Sequence, residues 1–363
     1  MYDDERPGEV AWSRWYRALP TARQTGHSPR DLSALLAEVR LARLVVVPCA
    51  DRWVRAAVEC PEVGTERFPA SLPPPDTAAT LLDKGRLAGF LETLAVPHPR
   101  TFLVQRPEDV VGPVAILGDG AFIKPCDSHG FQRRFDVKGF RAPNAAEANT
   151  LAREAASAGL QVLVQEYIPG PPTCHHFVDG FVDRYGVVRG LFARRRWRMH
   201  PPDFGNSTAM ISIDLNEVAP AVDDLRRVLA AGRYRGVFSA EFKRDPRDGA
   251  FKLLEVNVRP WWFVDFASRA GIDVCEMAYR DALGLPVETA SSYRVGLRCV
   301  YPFDDRLACR DLVKKGQLSR AAWLFSWIGA HQPVFSFSDP WPAVAGSALL
   351  VKRWLRKRLS PAS

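Results

Sequence analysis

The sequence predicts an α/β protein with a smaller α+β unit attached. Three observations predict it. Short apolar runs such as "LVVV" and "VLVQEYI" have the character of buried strands, and they alternate with helical stretches such as "NAAEANTLAREAASAG". Two further runs, "VFSAEFK" and "FKLLEVNVR", flank "RDPRDGA", whose Pro, Asp and Gly form a turn, so they read as a hairpin. With 363 residues the chain is long enough for two or three packed units.

In chain order, "LARLVVVPCADRW" opens on an apolar run that predicts a buried parallel strand, and the Pro-rich "FPASLPPPDTA" marks a crossing between subdomains. Apolar spacing is helical from Leu81 to Leu94, where prolines stop it. From Ala115 to Phe140 the composition predicts strand, polar loop and strand. Asn144 caps the Ala-rich helix and Gly159 ends it. "LQVLVQEYIPG" is a buried strand stopped at Pro169 and Gly170, two more strands turn near Tyr185 and Gly186, and a helix runs from about Ala219 to Ala231.

Composition narrows the class. Hydrophobic content of 47% and charged content of 25% fit a soluble globular chain. No apolar run is long enough to span a bilayer, and "MYDDERPGEV" lacks a signal peptide's pattern. Seven scattered cysteines without a CxxC pair favour reduced thiols, so a cytoplasmic protein is expected. The net charge of +8 hints at an anionic ligand, a membrane surface or nucleic acid, although a solvated basic surface is the commoner reason for such a charge. "TCHHF" is a poor metal motif, because neighbouring histidines on a strand point to opposite faces.

The hairpin carries the chemistry. On a strand Glu255, Asn257 and Arg259 share one face, and Val256 and Val258 take the other. A hairpin symmetric about Asp248 sets Glu241 directly opposite Glu255. Two carboxylates in that relation repel. A divalent cation between them reverses the sign, and two carboxylates with an amide suit magnesium. Magnesium in turn implies a nucleotide and lysines for its phosphates. Lys124 ends the apolar run "VAILGDGAFIK", Lys84 begins a helix, and "PCDSHGFQRR" offers a glycine and several donors.

In that order these motifs resemble the ATP-grasp superfamily, over roughly Leu44 to Pro286. "LLDKGRLAGFLETLAVPHPRTF", "AFIKPCDSHG", "VLVQEYIPG" and "SAEFKRDPRDGAFKLLEVNVRP" are similar to its lead-in helix, phosphate-lysine strand and lid loop, hinge, and metal-binding strands. "RRRWRMHPPDFGNST", "RPWWFVDFASRAGIDV" and a Trp-rich C-terminal extension resemble bacterial carboxylate–amine ligases of the D-aspartate-ligase-like kind. The resemblance implies an ATP-grasp fold with a partial Rossmann-like N-terminal domain (1–79), a lead-in helix and lid (80–164), a large subdomain (165–290) and a C-terminal extension (291–363). It also implies site roles. Lys84, Lys124, Ser128 and Gly130 would hold ATP phosphates, and Gln165, Glu166, Tyr167 and Ile168 the adenine. Glu241, Glu255 and Asn257 would hold Mg2+, and Arg259 the transferred phosphoryl group. Guanidinium chemistry makes Arg196 and Arg198 candidates for the carboxylate substrate, with a solvated basic strand as the equal alternative.

The chain departs from the family in having Val258 for Pro, Arg196 where relatives often carry Lys, one glycine in the lid loop, and a start that does not read as the first strand of the N-terminal domain. Either the start is truncated or another element, such as one from a second subunit, is expected to fill that place. An uncovered sheet edge there leads to the expectation of a homodimer. The activity implied is ADP-forming ligation of a small carboxylate to an amine through an acyl phosphate. Phosphorylation of a hydroxyl, ester formation, and a non-catalytic polyanion- or membrane-binding role are the alternatives. No nucleic-acid partner is expected, and the basic tail "GSALLVKRWLRKRLSPAS" would make any membrane contact.

Overall fold

The computed structural model describes residues 9–17, 32–126, 135, 139–142, 144–201 and 205–349. Two antiparallel sheets organise it, which makes the architecture α+β. The first has four strands in the order β1-β4-β2-β3: β1 (Thr101–Leu103), β2 (Ala121–Pro125), β3 (Phe140–Arg141) and β4 (Val162–Glu166). The second has six in the order β10-β7-β6-β5-β8-β9: β5 (His175–Val182), β6 (Val188–His200), β7 (Asn206–Ser212), β8 (Gly236–Arg244), β9 (Phe251–Asn257) and β10 (Arg298–Val300).

Before the first sheet come α1 (Leu32–Ala37), α2 (Asp51–Glu59), α3 (Pro75–Leu82) and α4 (Lys84–Thr93). The helix expected across Leu81–Leu94 is therefore broken. Asp83 is extended, and its carboxylate accepts from the backbone N–H groups of Gly85 and Arg86, so it ends α3 and caps α4. The strand expected at "LVVV" does not form, and Val47 is 42% exposed. Leu44 and Val46 donate to the carbonyls of Arg67 and Pro69, but Pro69 has no N–H to return, so no ladder develops.

The helix α5 (Val111–Leu117) takes residues read from sequence as the start of a strand. The Ala-rich α6 (Ala145–Ser157) has Asn144 as its cap, bonded to the Glu147 N–H, and Gly159 follows it at φ +68°. Ala148, Ala152 and Ala155 of α6 pack with Val114 of α5 on the small sheet. One face of the large sheet packs against α3, α4 and α7 (Ala219–Ala231) through residues such as Phe238, Phe242, Leu225 and Leu87. Part of its other face is covered by α8 (Val264–Ala270) and α9 (Val274–Ala282). The chain continues through β10 into α10 (Pro302–Lys314) and α11 (Arg320–Trp327). No helix among the described residues is long and apolar enough to cross a membrane. Most of the basic tail, from residue 350, lies outside the described residues.

The β8–β9 hairpin has a break in register that governs the site. Near the turn Arg244 faces Phe251 and Phe242 faces Leu253, but beyond it Glu241 faces Glu255 and Ser239 faces Asn257. Leu254 is the extra residue of a β-bulge. It shifts the alternation by one, so Phe251 and Leu253 before it, and Val256 and Val258 after it, enter the same core.

Candidate nucleotide and metal site

The uncovered part of the large sheet presents residues from five strands to one cavity of about 230 Å³, and the small sheet closes it from the other side. Lys84 reaches it from the first turn of α4, Lys124 from β2, and Gln165, Glu166, Tyr167 and Ile168 from β4 and the hinge after it. Arg196, Glu241 and Glu255 arrive from β6, β8 and β9. Nine residues singled out from sequence are thus gathered in one place, although they span positions 84 to 255.

Lys124 donates from Nζ to Gln165 Oε1 at 2.7 Å, and Gln165 donates in turn to Thr101 Oγ1 at 2.9 Å. Burial is the main reason that the Lys124 ammonium is pushed down to about 8; the positive charge of Lys84 adds to this, and Glu255 and Glu241 oppose it. Glu166 accepts from Arg247 at 2.6 Å and from the Arg100 backbone N–H, which fastens the hinge to the hairpin turn.

Glu241 is held from two sides. His175 Nδ1 lies 2.7 Å, and Arg196 Nη2 3.0 Å, from the same oxygen, Oε1. Burial alone would raise this carboxyl, but Arg196 and His175 outweigh it and hold Glu241 well below the usual carboxylate range. Among the described residues nothing bonds its second oxygen. Glu255 accepts from Asn257 Nδ2 at 3.1 Å, and Asn257 Oδ1 accepts from Arg259 Nη2 at 3.3 Å. Arg259 also reaches Asp51 of α2 at 2.5 Å. Asn257 and Arg259 therefore form a row continuous with Glu255, just beyond the cavity's own lining.

Arg198 goes elsewhere. A break in the β6–β7 register between Arg196 and Arg198 ends the simple alternation that put both on one face. Arg198 is 3% exposed and binds both oxygens of Asp305 in α10, at 2.7 and 2.8 Å. Asp305 also accepts from Thr208, Trp323 and Trp327, so this pair anchors the C-terminal helices instead of facing the cavity beside Glu241. Ser128 and Gly130 lie outside the described residues. The two adjacent histidines do point apart: His175 faces Glu241, and His176 packs edge-on against Phe251.

The donor set suits a hard cation. Among the described residues no group of three or more His, Cys, Asp and Glu side chains could hold a metal ion. What is present is two opposed carboxylates and an amide, the kind of oxygen set that suits a hard cation such as magnesium. Sequence reasoning set His175 aside as part of a poor metal motif and did not single out Lys243. His175 and Lys243 are cross-strand partners next to Glu241, so the β5–β8 pairing, had it been known, would have exposed both.

No family model matches the chain. It is 24% identical over 217 residues to D-aspartate ligase from Enterococcus faecium (strain Aus0004), covering 55% of this chain and 49% of that protein. The biotin carboxylase domain of 2-oxoglutarate carboxylase from Hydrogenobacter thermophilus, solved with MgADP, ADP and bicarbonate, superposes with a TM-score of 0.60 at 16% identity, over 74% of this chain and 60% of that one. N5-carboxyaminoimidazole ribonucleotide synthetase from Thermus thermophilus gives 0.56 at 19% identity, over 75% and 69%. The fold is accordingly that of the ATP-grasp proteins. The chain spans about half the length of the D-aspartate ligase that it matches.

Proposed function

We propose that the chain is an ATP-dependent ligase that activates a carboxylate as an acyl phosphate and joins it to an amine, releasing ADP and phosphate. The observation that carries this reading is the pair Glu241 and Glu255, set face to face in a cavity that also collects Lys84 and Lys124. Like charges so placed are unfavourable without a cation, and lysines so placed suit phosphates. The likeness to D-aspartate ligase agrees with carboxylate–amine chemistry, and the carboxylase domain with the same fold was solved with MgADP and bicarbonate.

Glu241, Glu255 and Asn257 would hold magnesium, whose charge when bound neutralises phosphoryl oxygens. Lys124 and Lys84 bind and orient the phosphates, and the hinge from Gln165 to Ile168 holds the base. Arg259, fixed by Asp51 and Asn257, positions a guanidinium beside the metal-binding row, where charge builds up as the γ-phosphoryl group moves to the substrate carboxylate. The new carboxylate–phosphate bond replaces the β–γ bond of ATP, and ADP leaves. Attack by the amine then forms the amide, expels phosphate and releases a proton. Arg196 is committed to Glu241, so its role is to hold that carboxylate, and the substrate carboxylate must find another partner.

Hydroxylamine tests the reading. With a suitable acid, ATP and magnesium, a hydroxamate should accumulate together with ADP and phosphate. A stable phosphorylated product without hydroxamate, or formation of AMP and pyrophosphate, would refute it.

A further inference from the structure

Beside the nucleotide cavity lies a second one, of about 260 Å³, between the hinge segment 167–172, the end of β6 and the last turns of α10. Tyr167, His175, Met199 and Lys243 line both and form the partition between them. The second cavity has no part in the reading above, and the C-terminal helix α10 builds its far wall through Ala308, Asp311 and Leu312.

Lys243 is the unusual member of the partition. Its side chain is about as buried as that of Arg198, with 5% exposure, yet among the described residues its ammonium has neither a hydrogen bond nor an ion pair. Its Nζ lies 5.0 Å from the centre of the Tyr167 ring, and Tyr167 lines both cavities too. The carboxylate two residues away, Glu241, is already engaged by Arg196 and His175. Arg198, the other cation at the second cavity, is neutralised by Asp305. Asp311 across the cavity is 3.0 Å from His200 and 3.5 Å from Arg310. Among the described residues Lys243 is therefore the cation of the partition without an anionic partner, and it lines the cavity. A confined charge without a partner is costly, and an anion that enters the cavity reduces that cost.

We infer that this second cavity is a binding site for a small organic anion, a carboxylate or phosphate on a flat apolar body, with Lys243 as its anchor. The walls fit such a body: Trp197, Pro171, Pro172 and Leu312 are apolar, and Lys315 adds a second cation. Because Lys243 belongs to both cavities, the anion and the nucleotide share a wall.

The experiment uses benzoate and phenyl phosphate as probes, with benzamide as the uncharged control, titrated by calorimetry into the full chain saturated with MgADP. Benzoate, phenyl phosphate or both should bind, and benzamide should not. Lys243→Met should weaken binding at least tenfold. Leu312→Trp, which fills the cavity from a wall remote from the nucleotide, should abolish it and leave MgADP affinity unchanged. The inference fails if neither anion binds, if benzamide binds equally well, or if binding survives both substitutions. It also fails if the anions bind only when MgADP is absent, since the two cavities would then be one site. Should MgADP not bind at all, the proposed function is what fails. The same titrations on the nucleotide-free chain, with Leu312→Trp, still decide the anion site.

Discussion

Glu241 and Glu255 face each other directly across adjacent antiparallel strands, and of the two only Glu241 is bonded by a guanidinium, that of Arg196, with the His175 imidazole on the same oxygen. Replacing Glu255 by Gln should remove magnesium-dependent ATP turnover, by about a hundredfold or more given what lesser changes around metal ligands cost. The fold should survive, and the melting temperature of the ligand-free protein should stay level or rise, because a like-charge pair disappears. Turnover at the wild-type rate would remove Glu255 from the metal site.

His175 should matter through Glu241. His175→Gln takes away the 2.7 Å contact to Oε1, and Mn2+ affinity read by electron paramagnetic resonance should fall by about tenfold. His176→Gln, on the opposite face of the same strand, should leave Mn2+ affinity as it was. Equal losses from the two would mean that strand β5 responds to any substitution.

Nucleotide affinity should depend on pH through Lys124. Burial and Lys84 hold its ammonium at about 8 in the free protein, and phosphates favour the charged form. Below pH 8 the group is already protonated and binding needs no proton. Above it each binding event takes one up, so ADP affinity should fall by up to about tenfold per pH unit. Calorimetry from pH 7 to 9.5 checks this, and Lys124→Ala should flatten that slope and weaken binding throughout.

The hairpin turn should be acid-sensitive. Asp245 is fully buried, and the Arg247 guanidinium holds its carboxyl down at about 2. A carboxyl lowered by folding stabilises the fold above its unfolded value near 3.8, and that contribution disappears as pH falls toward 2. Asp245→Asn should cost about 1–2 kcal/mol at neutral pH, modest because Arg247 is half exposed. The variant's stability should also vary less between pH 4 and 2. Denaturant melts at both pH values measure this.

Much of the site was legible because local chemistry fixes it. The turn formers between Arg244 and Phe251 announced the hairpin, and alternation assigned Val256 and Val258 to the core. The pair Glu241–Glu255 was read from a hairpin centred on Asp248. The turn is in fact centred between Arg247 and Asp248, and the bulge at Leu254 restores the facing pair. Asp83 before "KG" was a readable cap signal, outvoted by apolar spacing that ran on past it. The Arg198–Asp305 pair was not readable, because its partners are 107 positions apart and nothing local in "RRRWR" separates a cation facing a cavity from one bound to a distant helix. The isolation of Lys243 was equally hidden, since it depends on what every neighbour already binds.

The bulge at Leu254 gives the hairpin a rule of parity. Side chains change face with each residue, so the carboxylates meet only because the count from Glu241 around the turn to Glu255 includes one unpaired step. Lengthening or shortening the turn by two residues, one for each strand, would keep the acids on the same face. With the bulge kept, adding or removing a single residue in the turn between Arg244 and Phe251 would turn Glu255 toward the apolar core and bring Val256 out onto the face of Glu241. Homologous hairpins should therefore vary in length by even steps, and an odd step should occur only where the bulge itself has been gained or lost.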